Sequence, residues 1–258
     1  MSGVHTEDTG DADPRRTIEL LWGVSAAPRR GPKPKLTTAD VVRSAVALAD
    51  ADGIEAVTIR GIAEQLGVSP MSLYTYVPGR AELLDLMIDH AHGELTAPEP
   101  GLGWRDALTA IAEDQWSLYH RHPWLLQVTT SRSALGPHSF AKYENELRAV
   151  DGIGLDDVEM DAAVGLVTGL VRTTARSSLG AARLVRASGM TEAQWWERAG
   201  PVLAGIPAAA PEHYPIASRV GQAAGEAHNA AEDPAYTFRF GLARVLDGIE
   251  VLVSERQQ

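Results

Sequence analysis

The 258-residue chain contains no cysteine, which excludes disulfides, thiolate nucleophiles and zinc or iron–sulfur sites built on Cys ligands. It has no apolar run long enough to span a membrane. Its first residues, MSGVHTEDTGDADPRR, are acidic and polar, unlike the basic and then apolar start of a signal peptide. Strand-period alternation is absent, as is any internal repeat. No Gly-rich phosphate loop, nucleophile elbow, metal motif or paired-carboxylate signature occurs, so neither catalysis nor a cofactor is expected. His90/His92 and His120/His122 are two apart, do not share a helix face, and give no metal site. A cytoplasmic location fits these absences best.

What is present is ordinary in bulk and uneven in detail. Apolar residues make up 45% and charged residues 22%, so core size does not limit folding, and the length allows one large or two modest domains. A net charge of −11 argues against a polyanionic partner for the chain as a whole. From Pro28 to Arg80, however, seven Lys/Arg (Arg29, Arg30, Lys33, Lys35, Arg43, Arg60, Arg80) face five acids, a local +2 that leaves −13 for the remainder. Contact with a polyanion belongs in that window.

Residues 1–35 are expected to be a disordered acidic and basic arm, with IELLWG (Ile18–Gly23) as one apolar patch free to dock. The Pro-interrupted PRRGPKPK (Pro28–Lys35) cannot continue a helix. It is either an arm reaching DNA phosphates or the minor groove, or a solubilising linker. Helix signals begin at Leu36. Thr37 and Asp40 form a capping-box pair, and Leu36 and Val41 are spaced as a hydrophobic staple. Val42, Ala45, Val46 and Ala49 then mark one buried face, and Gly53 closes the helix. Thr58 caps a second helix with its buried face at Ile59, Ile62, Ala63 and Leu66. Gly67 ends it, and Ser69-Pro70 starts a third. Leu84, Met87, Ile88 and Ala91 mark a fourth. The Pro/Gly-rich stretch from Thr96 to Gly103 is the expected domain boundary, giving domains at 36–95 and 96–258. Beyond it, helices are expected near Trp104–Arg121, Trp124–Thr130, His138–Val150, Leu155–Leu179, Thr191–Leu203, Ile216–Ala230 and Tyr236–Glu255. The fold class is all-α.

Two short helices joined by a Gly-containing turn describe a helix-turn-helix. Ala63 is small where the helices cross, and Val68 and Leu73 point to the core. That leaves Ser69, Pro70, Met71, Ser72, Tyr74, Thr75 and Tyr76 on the free side, where hydroxyls can meet phosphate or bases and Met71 a thymine methyl. The plainer alternative is a helical hairpin inside a larger bundle.

These residues also carry a family resemblance. The stretch GIEAVTIRGIAEQLGVSPMSLYTYVPGRAELLD resembles the DNA-binding domain of the tetracycline-repressor (TetR) family. Weaker similarity extends into KYENEL and PAYTFRFGLARVLDGIE. The resemblance implies a three-helix helix-turn-helix domain followed by a larger helical ligand-binding and dimerisation domain. Arg60 is then expected to read a base or phosphate; Ser69, Pro70, Met71, Ser72, Thr75 and Tyr76 to face the major groove; and Tyr74 and Arg80 to hold phosphates. The partners implied are double-stranded operator DNA at the nucleoid, a second copy of the chain, and a small-molecule effector of unknown identity. A DNA-binding activator, or a regulator without an effector, is the alternative.

In the C-terminal half, Phe238, Leu242, Val245, Leu246, Ile249, Leu252 and Val253 form one stripe, and Val158, Ala162, Leu166, Val167, Leu170 and Thr174 another. Gly165 and Gly169, four apart, leave room for a close helix. Both stripes read as ordinary core or as a two-fold four-helix interface. Gln115 is polar on the apolar face Trp104, Leu108, Ile111 and Leu118, so it needs a partner, either a neighbouring side chain or a ligand. The resemblance favours a ligand, and places Thr129, Arg132 and Glu146 at or near other effector-pocket positions. Trp116, Tyr119, Trp124 and Tyr143 are pocket walls or core. LLQVTTSR lacks the His with which tetracycline-binding members hold a magnesium–drug complex, and their pocket Glu has no counterpart near Ser177. Tetracycline–magnesium is therefore not the expected effector.

Overall fold

The computed structural model describes residues 7–8, 13–24, 36–129 and 134–256. Helices dominate. In chain order they are α1 (Pro14–Leu21), α2 (Thr38–Asp52), α3 (Ile59–Leu66), α4 (Pro70–Leu73), α5 (Arg80–His92), α6 (Trp104–Arg121), α7 (Pro137–Val150), α8 (Asp157–Ser188), α9 (Glu192–Ala204), α10 (Pro215–His228) and α11 (Pro234–Arg256). Two-residue strands β1 (Glu7–Asp8) and β2 (Val128–Thr129) pair in parallel, a small exception to the expected absence of strands.

The chain divides into two compact units, Met1–Gly169 with Leu246–Gln258, and Leu170–Val245. In the first, α2 forms as its signals require. The Thr37 hydroxyl accepts the Asp40 N–H; the Asp40 carboxylate in turn accepts the Thr37 hydroxyl at 2.6 Å and the Thr37 N–H at 2.8 Å, and these bonds, the hydroxyl's first, hold that carboxyl below its usual range. Val41, Val42, Ala45, Val46 and Ala49 are all buried. Gly53 closes the helix at φ 89°, where a side chain would be strained. Helix α5 packs against both α2 and α7, so the helix-turn-helix helices and the first sensor helices share one unit. Two ties hold α5 to α7: the Asp89 carboxylate accepts the Ser139 N–H at 2.8 Å, and His92 Nδ1 lies 2.9 Å from the Ser139 hydroxyl. Helix α6 is joined to the end of α11 by Arg105, which pairs with Asp247 and, at 3.0 Å, Glu250.

Four sequence expectations change. Residues 1–35 are not wholly without structure: Asp13 caps α1, whose Thr17 and Leu21 are buried on the side packed against α5. The apolar patch at Ile18–Gly23 thus has a docking place, and burying Leu21 contributes roughly 2 kcal/mol. The basic run 28–35 lies outside the described residues. Instead of a helix from Trp124 to Thr130, the chain makes a 3₁₀ turn at Pro123–Leu126 and then β2. Helix α8 continues to Ser188, well past Leu179. Its buried face is Ala163, Val164, Val167, Val171, Thr174 and Ala175, while Val158 and Leu166 of the expected stripe are exposed. The α11 stripe is as expected at Phe238, Leu242, Leu246, Ile249 and Val253.

Helix α5 also carries a half-buried acid. Desolvation, with a smaller contribution from Glu82, pushes the Asp85 carboxyl from 3.8 up to about 6. The folded state therefore binds this proton more tightly than the unfolded chain. The associated stability is present below the unfolded value and is lost as pH rises through about 6. With allowance for solvent screening, Asp85→Asn should stabilise the protein at pH 7.5 by about 1 kcal/mol. Urea unfolding at both ends should show the gain disappearing near pH 4; a gain independent of pH would contradict the assignment.

Candidate nucleic-acid interface and effector cavity

Helix α3 ends because Gly67 adopts the left-handed conformation (φ 66°, ψ 33°). The Gly67 N–H turns to the Glu64 carbonyl, and the Val68 N–H to the Ala63 carbonyl at 3.0 Å, the pattern that satisfies a helix end while redirecting the chain. Ser69 is extended and Pro70 opens α4. The helix itself is one turn, Pro70–Leu73, continued by turns through Tyr76. The Ser69 hydroxyl meets the Ser72 hydroxyl at 2.8 Å and makes no backbone cap. Leu73 and Val77 are completely buried and anchor the element. Ser69, Pro70, Met71, Ser72, Tyr74 and Thr75 are exposed, with Met71 at 75%, while Tyr76 is half-buried. Arg60 is exposed on α3, which packs against α4.

Arg80 differs from its expected place at phosphates. It starts α5, and its guanidinium donates to the carbonyls of Val57 and, at 3.2 Å, Ile54. Those carbonyls belong to the 3₁₀ turn Ile54–Ala56 and the residue after it. Arg80 thus pins the α2–α3 connection to α5 and fixes how the recognition element sits on its support.

The second site lies between α6 and α7. Gln115 is 2% exposed and Glu146 3%. The Gln115 amide N–H donates to Glu146 Oε1 at 2.5 Å, and the Lys142 ammonium, one turn earlier on α7, pairs with the same oxygen. Gln115 Oε1 is buried without a partner. It borders a cavity of ≈ 20 Å³ lined also by Leu95, Thr96, Ile111, Asp114 and Asn145, room for about one water molecule. The structure thus brings together two of the candidate effector residues, Gln115 and Glu146, whose pairing across 31 residues the sequence did not reveal. Lys142 was missed, although its four-residue spacing to Glu146 was a usable signal. Thr129 falls in β2; Arg132 lies outside the described residues.

None of the four candidate wall aromatics lines this cavity. Trp124 and Tyr119 are core, and the Tyr143 hydroxyl donates to Asp161 at 2.8 Å on the surface. Trp124 belongs to a cluster that spacing did not reveal. Its indole N–H donates to Asp50 Oδ1 at 2.8 Å. His122 Nδ1 lies 2.8 Å from the same oxygen, and its Nε2 lies 3.0 Å from Glu94. The cluster ties the end of α2 to α6 and to the chain just beyond α5. Among the described residues, no group of side chains is arranged to hold a metal ion.

The one-turn, polar, solvent-facing α4 behind a left-handed glycine agrees with the comparisons. Residues 41–87 match bacterial regulatory proteins of the tetR family, and residues 97–253 match the tetracyclin repressor-like C-terminal domain. The chain belongs to the TetR family. It is 42% identical over 258 residues, 98% of this chain and 91% of the relative, to the HTH-type transcriptional repressor DrrR1 of Streptomyces coeruleorubidus. Its fold is similar to that of ActR from Streptomyces coelicolor. Apo ActR superposes with a TM-score of 0.69 at 23% identity, covering 87% of this chain and 99% of that one. ActR in complex with (S)-DNPA gives 0.67 at 24% identity, covering 84% and 98%. As a TetR-family member this chain is a DNA-binding transcriptional regulator, with the helix-turn-helix at its N-terminal end and the helical tetracyclin repressor-like domain after it. Among the described residues, no helix is long and apolar enough to cross a membrane.

Proposed function

We propose that this TetR-family protein binds a palindromic operator on the nucleoid as a homodimer and leaves it when a small molecule binds the 96–258 domain. Residues 36–95 form the reading head. The observation that carries this is the freedom of α4: Leu73 and Val77 do the packing, and six neighbouring residues face outward with little structural duty. Ser69, Pro70, Met71, Ser72, Thr75 and Tyr76 would meet the major groove, with Arg60 and Tyr74 at its edge; Arg80 supports the element from behind. The exposed residues Val158 and Leu166 on α8, and Phe240 and Val251 on α11, leave apolar stripes that a second copy would cover. A two-fold dimer presents its recognition elements about 34–36 Å apart, the spacing of two half-sites.

Effector release follows from linkage: a ligand shifts the equilibrium only by its preference for the state that does not fit the operator. Gln115 Oε1 is the acceptor such a ligand would satisfy. The absence of His from LLQVTTSR favours a ligand other than tetracycline–magnesium. At ≈ 20 Å³ the cavity must open to admit a drug-sized molecule, since such sites span roughly 300–1,000 Å³. That size keeps one second reading in view, a regulator that acts without an effector.

The test is selection of fragmented genomic DNA on the purified dimer at physiological salt, followed by sequencing. A palindromic motif should be enriched, and Thr75→Ala with Tyr76→Ala should weaken binding to it about 100-fold. Retention of full affinity by that variant, or no enrichment by a folded native dimer, would remove α4 as the reading element. Screening small molecules against the enriched duplex separates the effector reading from the second one.

A further inference from the structure

The segment ahead of the DNA-binding domain makes more connections than a tether requires. Helix α1 lies on α5, burying Thr17 and Leu21. Immediately after it, the Trp22 indole N–H donates to the Leu135 carbonyl at 2.8 Å, and its ring meets Phe140 of α7 edge-on at 5.9 Å. Further upstream, Glu7 and Asp8 pair in parallel with Val128 and Thr129. One short stretch of chain therefore holds three separate parts of the same unit: the helix behind the reading head, the entry to α7, and β2.

We propose that Glu7–Asp8 and Asp13–Val24 form an intramolecular strap that makes the state of β2 felt by α5, and so by the recognition element. Two of its three anchors are to backbone groups, the β2 ladder and the Leu135 carbonyl. Each of these bonds is either made or broken, so the proposed strap acts by being held or released at β2 and at Leu135, the kind of change that can link two sites. The third anchor, Thr17 and Leu21 on α5, follows any pivot of that helix. Movement of α5 away from α7 must pull the strap from one end or the other. This rests on the proposed release from the operator, with α5 as the helix that shifts between the two states, but the contacts stand without it.

The experiment compares three full-length or near-full-length proteins: the native chain, a deletion of residues 2–24, and Trp22→Ala, which keeps α1 but removes the indole bond and the ring contact. Hydrogen exchange is followed at the amides of Val128 and Thr129 and in α2–α4, with and without the enriched operator duplex. In free protein, the deletion should speed exchange about tenfold or more at whichever of the Val128 and Thr129 amides faces β1, and Trp22→Ala by a smaller factor, with α2–α4 unchanged. Adding operator duplex should alter exchange at Val128 and Thr129 in the native chain and leave the deletion unaffected, because coupling between two sites is reciprocal. Unchanged exchange in both free variants overturns the strap itself. Faster exchange in the variants, with an operator response that survives the deletion, overturns its role as a link. If the native protein enriches no operator, the free-protein arm still decides whether the strap exists, so failure of the DNA reading is told apart from failure of this one.

Discussion

Trp124→Ala is expected to lower the unfolding free energy by about 4 kcal/mol, the middle of the range for a core aromatic. The side chain is 1% exposed, so its removal leaves a cavity the size of an indole. It also strips Asp50 of a hydrogen-bond donor. Among the described residues Asp50 would keep His122, whose ring packs edge-on against Trp124 at 6.0 Å. Trp124→Phe separates the two effects, restoring most of the volume but not the N–H, and should cost about 1–2 kcal/mol. Urea unfolding followed by far-UV circular dichroism gives both values, provided the slope is unchanged. A loss below about 1 kcal/mol for Trp124→Ala would mean that the junction of α2 with the chain after α6 contributes little to stability.

The second large effect concerns the cavity between α6 and α7. Glu146→Ala removes the acceptor shared by the Gln115 amide and the Lys142 ammonium. It leaves a largely buried cation and a buried amide N–H unpaired, at an expected cost of about 3 kcal/mol. Lys142→Met combined with Glu146→Leu removes both charges while keeping the volume, and should recover most of that loss. The double variant is the informative measurement: if its loss equals the sum of the losses of Lys142→Met and Glu146→Leu made singly, the pair is not coupled and Glu146 is buried for another reason. A ligand that engages Gln115 should also be felt at Glu146, so the double variant should have an altered effector response while keeping its operator affinity.

The helix-turn-helix was legible because each of its signals is local. Thr37 and Asp40 are three residues apart, Gly67 must take a conformation that other residues avoid, and the buried face of α2 repeats every turn. Long helices were legible for the same reason, and their errors are instructive. The predicted α8 stripe holds at Val167 and Thr174 but not at Val158 and Leu166, whose places on the buried face are taken by Ala163, Val164 and Val171, because two apolar faces share that helix and periodicity cannot rank them. The apolar run at Trp124–Leu126 follows Pro123 and closes into a 3₁₀ turn, where a helix over Trp124–Thr130 was expected. What spacing could not supply was partnership over distance. Arg80 with Ile54 and Val57, Trp124 with Asp50, and Gln115 with Glu146 are 23 or more residues apart. Each residue was noticed, but its partner was not. Helix α1 was missed because its Pro- and Arg-rich start reads as coil, and its burial depends on α5, far along the chain.

The economy of α4 bears on how such a protein changes over generations. A one-turn element whose fully buried side chains are Leu73 and Val77, redirected by one glycine, separates the residues that keep it in place from those that face outward. Under the proposed function, substitutions at the exposed Ser69, Met71, Ser72 and Thr75 would alter which sequence is recognised while leaving the core untouched. After gene duplication, copies of this domain can therefore drift to new binding sequences by short, individually viable steps, with the sensing half left intact.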